Sequence, residues 1–276
     1  MINELLQLPV KLAPAVHSQH EVPYVEQGQG DLLLLVHGSL CDLRYWRWQL
    51  SKLASSFHVV SLSLPGYWPT EPLYMAYDFN VDNHCAALAD VILACQKPQQ
   101  KVHILGHSRG AHIVAEYVTQ YPNSLHSIIL ADPAFTLHQA TRPLAILDQA
   151  ASLLPSGSEA EGLSLFIDAV SGPSTWSRMV GWFKQMVQDN GHTLIAQSRE
   201  SLPIIGTKHL ETLRLFPTLL VGGALSPARY QDSMQQLHHS LANSQQIKIP
   251  KASHGMNLAN PKAFNQAILN FVQHDA

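Results

Sequence analysis

A G-x-S-x-G pentapeptide occupies Gly106-His107-Ser108-Arg109-Gly110, directly after a short apolar run at residues 102–105 and directly before a helix-like stretch at residues 111–121. This order of strand, pentapeptide and helix is that of a nucleophile elbow. The two glycines of such an elbow leave room for a very tight turn, which strains the serine backbone and lifts its hydroxyl clear of the sheet edge. We therefore expect Ser108 to be a nucleophile rather than part of an ordinary turn.

A base must activate this serine, because a hydroxyl is a poor nucleophile at neutral pH, and the order serine, acid, histidine calls for a histidine late in the chain. His254 fits best among the 16 histidines. It lies in a loop that follows a strand-like run at residues 246–249 and precedes a helix from about residue 260 to 273. Functional groups of an open α/β sheet collect at the carboxyl ends of its strands, so His254 is expected beside Ser108. The alternative is a surface histidine.

An earlier apolar strand, residues 32–36, ends in His37-Gly38. Acyl transfer develops negative charge on an oxygen, which needs two backbone N–H donors, one after the nucleophile and one after an earlier strand. Arg109 and Ser39 occupy these positions, with Leu40 as the alternate for the second. Loss of one such donor typically costs ~3–4 kcal/mol of transition-state stabilisation. His-Gly could also simply end the strand.

Taken in this order, His37-Gly38, the elbow and the late Ser253-His254-Gly255 resemble the α/β-hydrolase superfamily over residues 22–272. The resemblance implies a mostly parallel central sheet with helices on both faces and an inserted helical cap. It is specific for the fold and not for the substrate, because this superfamily includes esterases, lipases, thioesterases, amidases, carbon–carbon bond hydrolases, lyases and cofactor-free peroxidases.

Strand and helix patterns alternate along the chain, which independently predicts a mostly parallel sheet covered on both faces. Strands are expected at residues 21–26, 31–36, 57–64, 102–105, 125–131, 218–221 and 246–249, and helices at 43–55, 81–96, 111–121 and 260–273. The chain is predicted to form one α/β-hydrolase domain over residues 1–276. Its core spans 1–133 and 216–276, and the cap is inserted at 134–215.

The acid of the expected triad is where the chain departs from the superfamily pattern. That acid usually lies in the loop after the strand that follows the cap. Here the loop, residues 222–229, contains no carboxylate, and Ser226 stands where the acid is expected. The nearest acid along the chain is Asp232, which the pattern places inside the next helix.

Asp132, at the end of the strand after the elbow helix, is the alternative acid. Some branches of the superfamily, haloalkane dehalogenase relatives among them, take their acid from this strand end, where it can orient the imidazole. Aspartate before proline is also a common turn opener. We predict that an Asp132 oxygen lies ~2.6–3.2 Å from His254 Nδ1. Asp232, a dyad and a water-supported histidine remain open.

Aromatic side chains suggest where a substrate binds. In the cap, Met179, Trp182, Phe183 and Met186 form one helical face. Such a stripe more often packs a helix onto the core than lines a pocket, so packing is the favoured interpretation, with Trp182 kept as a substrate-binding candidate.

A second aromatic group follows the oxyanion strand and consists of Tyr45, Trp46, Trp48, Tyr67 and Trp68. Because loops at the carboxyl edge converge over the nucleophile, Tyr67 and Trp68 are expected to line the substrate pocket together with Leu40.

The composition predicts a soluble enzyme. The 276 residues carry a formal charge of −3, which gives no electrostatic case for nucleic acid or an anionic membrane as a partner. No basic cluster marks a carboxylate clamp, and the Arg109 side chain could steer an anionic group or cap the helix. The three cysteines are unpatterned, and no signal peptide, membrane span or zinc-like spacing is recognised. A cytoplasmic protein without metal or cofactor is expected.

These patterns predict a serine hydrolase that cleaves a small, uncharged, moderately apolar carboxylic ester or thioester through an acyl-enzyme on Ser108. Its partner is therefore a small-molecule substrate. Two other classes stay open. The same serine, histidine and dry pocket serve cofactor-free perhydrolysis or lyase chemistry, and a non-catalytic receptor for a small ligand could retain both elbow and pocket.

Overall fold

The computed structural model describes residues 8–70, 79–139 and 145–274, and its strands form a single sheet. The strands are β1 (Lys11–Ala13), β2 (Val22–Gln27), β3 (Leu32–Val36), β4 (His58–Leu62), β5 (Val102–His107), β6 (Ser127–Ala131), β7 (Thr218–Gly223) and β8 (Ser244–Ile249). Their order across the sheet is β1-β2-β4-β3-β5-β6-β7-β8. β1 and β2 are antiparallel edge strands, and the other strands pair in parallel. The predicted mostly parallel sheet is confirmed, while β1 was not predicted.

Helices cover both faces of this sheet. They are a 3₁₀ turn (Leu43–Trp46), α1 (Arg47–Leu53), α2 (Val81–Cys95), α3 (Arg109–Gln120), α4 (Ala145–Leu153), α5 (Glu159–Ser171), α6 (Thr175–Arg178), α7 (Gly181–Asp189), α8 (Thr193–Arg199), α9 (Thr207–Leu213), α10 (Ala228–Ser240), α11 (Met256–Ala259) and α12 (Pro261–His274). On one face pack α2, α3, α9 and α10, and on the other pack the 3₁₀ turn, α1, α11 and α12. Within the described ranges, no helix is long and apolar enough to cross a bilayer.

The strand β3 shows why both faces need helices. All five of its side chains are fully buried, and they alternate between two cores. Leu32, Leu34 and Val36 pack on the side of α2 and α3, whereas Leu33 and Leu35 pack on the side of α1 and α12. A continuous apolar run with both alternating faces buried is typical of a central parallel strand.

The segment between β6 and β7 holds α4 to α9, of which α4 to α8 form the cover above the carboxyl edge of the sheet. Side chains of α4, α5, α7 and α8 share a separate apolar cluster that also includes Leu40. The last helix of the segment, α9, instead packs in the main core with α3. The predicted cap interval of 134–215 stays a prediction; its last helix, α9, packs its apolar face against the helices of the main core rather than within the cover.

Candidate active site

The elbow turns at Ser108 alone, since β5 ends at His107 and α3 begins at Arg109. Ser108 has φ 55° and ψ −118°, a backbone conformation that residues other than glycine rarely adopt. Both flanking glycines are required by close approach of the backbone. A Cβ added to Gly106 would lie 2.5 Å from the carbonyl oxygen of Gly110, and one added to Gly110 would collide with the carbonyl oxygen of His37. The strained turn expected from the sequence is therefore present.

His254 and Asp132 meet at the same edge. The Nδ1 atom of His254 lies 3.1 Å from Oδ2 of Asp132, within the predicted range. Asp132 directly follows β6, where its backbone N–H donates to the carbonyl oxygen of Val221 at 2.9 Å. Both side chains are buried, and His254 lines the same cavity as Ser108. Asp232, by contrast, is exposed on α10.

Ser226 supports the Asp132 carboxylate from the loop that lacks an acid. Its hydroxyl donates a 2.5 Å hydrogen bond to Oδ2 of Asp132, the same oxygen that faces His254. Two glycines make room for this arrangement. A Cβ on Gly222 would lie 2.9 Å from Oδ1 of Asp132, and one on Gly223 would lie 2.7 Å from Oγ of Ser226. The sequence analysis assigned Ser226 no role, although the pair of glycines before it is a signal for close packing.

Burial shifts the pKa values of Asp132 and His254 in opposite directions. Burial raises the pKa of Asp132 to about 6, and the hydrogen bond from Ser226 acts against this rise. Burial lowers the pKa of His254 below its ordinary value, and the positive charge of Arg229 lowers it further. At neutral pH the imidazole is therefore neutral, with Nδ1–H donating to the carboxylate and Nε2 left as an acceptor for a proton.

We expect turnover to fall as the pH drops through about 6, because protonation of the Asp132–His254 pair removes the carboxylate that balances the imidazolium. Ser226→Ala should move this acidic limb to higher pH, since its hydrogen bond lowers the pKa of Asp132. The measurement is kcat/KM against pH for both proteins. Ser253→Ala serves as the control, because the Ser253 hydroxyl donates to the carbonyl oxygen of Ser171 and not to Asp132. Equal shifts in both variants would contradict the assignment.

The predicted oxyanion donors lie on either side of Ser108. Arg109 is the first residue of α3, so its amide has no acceptor within the helix. Ser39 follows β3 in a turn held by His37, whose Nδ1–H donates to the carbonyl oxygen of Gly38 at 2.9 Å and whose Nε2 accepts from the amide of Leu64 at 3.0 Å. Burial lowers the pKa of His37 to about 3, so the ring stays neutral in this fixed tautomer. The donor roles of Ser39 and Arg109 remain predictions.

The Arg109 side chain forms an ion pair with a residue of the cover. Its guanidinium forms two contacts with Glu200, which follows α8: Nη1 to Oε2 at 2.6 Å and Nη2 to Oε1 at 2.9 Å. Both side chains are almost fully buried. The charge of Arg109 is therefore neutralised inside the protein, and this side chain does not steer an anionic group.

A cavity of about 580 Å³ opens beside Ser108 and His254. Its lining is mostly apolar and comes from α5 to α7 and from the segment after β3: Tyr45, Trp48, Phe166, Ile167, Val170, Met179, Trp182 and Phe183. Within the predicted helical stripe, Met186 is fully buried in the core, but Met179, Trp182 and Phe183 face the cavity. These three residues also pack against the apolar clusters, so the stripe combines packing with cavity lining, and the substrate-binding role of Trp182 stays a prediction.

The other three substrate-binding candidates, Leu40, Tyr67 and Trp68, line neither of the two cavities that contain Ser108. Leu40 is fully buried under the cover. Tyr67 is also fully buried, and its hydroxyl accepts from Nε2 of Gln197 at 3.3 Å. The Trp68 ring is occupied by the guanidinium of Arg44, 3.7 Å from the ring centroid. These assignments are corrected, because α7 and α8 pack onto the Tyr67 loop and close it off from the nucleophile.

A second cavity, of about 380 Å³, adjoins the first at Ser39, Ser108, Phe166 and Val170. It continues toward Arg229 and Tyr230 at the start of α10. The Tyr230 ring stacks on His254 with centroids 4.0 Å apart and an interplanar angle of 13°. The sequence analysis missed Arg229 and Tyr230, because a position early in a helix does not reveal that the side chain lies close to His254.

The elbow serine, the histidine paired with an aspartate and the cover together define an α/β hydrolase. Residues 31–261 match the family model described as the alpha/beta hydrolase fold, so the chain belongs to this family. The predicted family and fold are thereby confirmed. In the described ranges, no group of three or more His, Cys, Asp or Glu side chains could hold a metal ion.

Known relatives share the family but differ in the reactions their names state. Epoxide hydrolase 3 of Mus musculus is 29% identical over 129 residues, which are 46% of this chain and 35% of that protein. The (E)-2-((N-methylformamido)methylene)succinate hydrolase of Acinetobacter baylyi is 22% identical over 271 residues, 97% of each chain. A malate-bound thermophilic esterase from Thermogutta terrifontis superposes with a TM-score of 0.77 at 18% identity, covering 96% of this chain and 98% of that one. The likeness to the esterase, at 18% identity, shows the fold, and the different reactions that the relatives' names state leave the substrate open.

Proposed function

We propose that the protein is a serine hydrolase that cleaves a small carboxylic ester or thioester through an acyl-enzyme on Ser108. The observation that carries this proposal is the Asp132–His254 hydrogen bond of 3.1 Å, buried beside a serine held at φ 55°. A strained serine, a neutral imidazole and a buried carboxylate at one sheet edge are the parts that nucleophilic acyl transfer needs.

The proposed reaction uses each part in turn. The Ser108 hydroxyl attacks the carbonyl carbon while Nε2 of His254 takes its proton, and the Asp132 carboxylate stabilises the resulting imidazolium. The amides of Ser39 and Arg109 hold the negative charge that develops on the carbonyl oxygen. His254 then protonates the leaving alcohol or thiol, and a water activated by the same imidazole releases the acid.

The first cavity supports a moderately apolar group on one side of the scissile bond. Its volume of about 580 Å³ lies within the range of small-ligand sites, roughly 300–1,000 Å³. Phe166, Trp182 and Phe183 offer large apolar surfaces, and Ser108 and His254 supply polar groups at its base. This division between apolar walls and a few convergent polar groups is typical of pockets that bind small molecules.

A fluorophosphonate probe tests the proposal directly. We expect rapid labelling at Ser108, because the probe reacts with an activated serine nucleophile, and we expect no labelling after heat denaturation. Hydrolysis of nitrophenyl esters and acyl thioesters of graded chain length should accompany it. A folded protein that neither labels nor turns over any of these compounds would instead be a non-catalytic receptor for a small ligand.

A further inference from the structure

Arg229 carries a positive charge into the lining of the second cavity. Its Nη2 donates to the Tyr230 hydroxyl at 3.0 Å and to the carbonyl oxygen of Ala169 at 3.1 Å. The guanidinium lies over the Tyr230 ring, 4.6 Å from its centroid. These contacts hold the side chain in place although the residue is exposed. Among the described residues, no carboxylate forms an ion pair with it.

The other ionisable groups of this cavity do not compensate that charge. Arg109 and Glu200 neutralise each other through their two-contact ion pair. His112 donates from Nε2 to the carbonyl oxygen of Pro203, and burial lowers its pKa to about 4, so the ring is neutral. The remaining lining is apolar or uncharged: Ser39, Ser108, Pro133, Ala134, Phe135, Thr136, Leu147, Phe166, Val170, Gln197, Leu202 and Tyr230. Among the described residues that line the second cavity, Arg229 is thus the one cation without an ion-pair partner, although its charge also acts on the buried Asp132 carboxylate.

We propose that Arg229 binds a carboxylate of the substrate, so that the ester or thioester cleaved at Ser108 carries one free acid group. The planar guanidinium matches carboxylate geometry, and its Nε and Nη1 donate to no described residue, whereas Nη2 donates to Tyr230 and Ala169. This inference rests on the proposed function. It replaces the expectation of an uncharged substrate, which followed from the lack of a basic cluster, because a single arginine suffices when it borders the nucleophile's cavity.

The position of Arg229 also lets the charge of a bound substrate affect His254, the proposed base. The Tyr230 ring contacts the guanidinium on one side and stacks on His254 on the other. The charge of Arg229 contributes to the lowered pKa of His254. A bound carboxylate would offset that charge and raise the pKa of the imidazole toward neutrality, making it a stronger base while the correct substrate is present.

Two matched substrate pairs test the inference. Monomethyl adipate differs from methyl hexanoate by a carboxylate in place of the terminal methyl group of the acyl part. In the same way, 3-(butanoyloxy)propanoate differs from propyl butanoate on the alcohol side. In at least one pair, we expect the protein to prefer the acid by about 10- to 100-fold in kcat/KM, the range of a hydrogen bond to a charged group. Proton release in a pH-stat measures all four compounds.

Variants then assign the preference to Arg229. Arg229→Gln should abolish it, and Arg229→Lys should retain part of it, because lysine keeps the charge but not the planar fork. Arg199→Gln is the matched control, since Arg199 is exposed on α8, lines neither cavity and carries the same charge. The preference should survive in this control. It should also weaken with added salt in the unaltered protein, because the charge of Arg229 is exposed.

The outcomes separate this inference from the function on which it rests. If neutral esters are hydrolysed and Ser108 is labelled, but neither acid is preferred, the carboxylate site is wrong and the serine hydrolase stands. A preference that persists in Arg229→Gln, or that Arg199→Gln removes equally, overturns the site in the same way. If no ester is hydrolysed and no serine is labelled, both proposals fall together.

Discussion

Replacement of Ser108 by alanine is expected to reduce turnover of any accepted ester by several orders of magnitude, about 10⁶-fold where a complete triad is disabled. The hydroxyl is the proposed nucleophile, and no neighbouring group in the described site offers a second one at the same position. The protein should still fold, because alanine keeps the Cβ atom and removes one oxygen. Steady-state kinetics with the best nitrophenyl ester, together with a thermal melt, measures both expectations.

Ser108→Gly is an informative companion variant. It should be as inactive as Ser108→Ala and more stable by ~1 kcal/mol or more, because glycine adopts φ 55° without the strain that a Cβ imposes. Undiminished hydrolysis by either folded variant would end the covalent mechanism. A lower melting temperature for the glycine variant than for the alanine variant would contradict the backbone strain.

Asp132→Asn should lower kcat by about 10⁴-fold, the loss known for this exchange in serine enzymes. The amide can donate to Nδ1 of His254 and so favour the wrong imidazole tautomer, and it cannot balance the imidazolium. Near-normal folding is expected, because asparagine keeps the shape of the side chain and Ser226 can still donate to its carbonyl oxygen. The measurement is single-turnover kinetics alongside a thermal melt.

Asp232→Asn is the matched control for this experiment. Asp232 is exposed on α10 and has no contact with His254, so its turnover should equal that of the unaltered protein. Loss of activity in Asp232→Asn with retention in Asp132→Asn would show that the acid was assigned to the wrong strand. Full activity in both variants would point to a dyad or a water-supported histidine.

Sequence alone predicted every strand of the sheet except β1, and it predicted the neighbourhood of Ser108. Strand, turn and helix at 102–121 are encoded by short-range patterns, and the carboxyl ends of parallel strands bring Ser108, Asp132 and His254 to one edge whatever the details of packing. Asp132 followed from the empty loop at 222–229. That Ser226 would bond to it was not predictable, because a donor–acceptor distance depends on how two loops pack.

The pocket was less predictable. Trp182 and Tyr67 are both aromatic residues at plausible positions, yet Trp182 faces the cavity and Tyr67 is buried under α8. Contacts between residues far apart in sequence decide which side of a cap helix faces the sheet. Periodicity identifies the apolar face of a helix but not what that face packs against. Arg229 was missed for the same reason, because its approach to the site depends on how α10 is placed against β7.

One residue on α8 and one directly after it bind the two residues whose amides are the proposed oxyanion donors. Glu200 clamps the Arg109 guanidinium, and Gln197 accepts from the Ser39 hydroxyl at 2.7 Å. Removal of either partner of this buried ion pair would leave the other charge unpaired and cost about 3–5 kcal/mol. These two contacts therefore tie this end of the cover to the turn around Ser108. We expect any shift of this end of the cover to move the two amides that are proposed to hold the oxyanion.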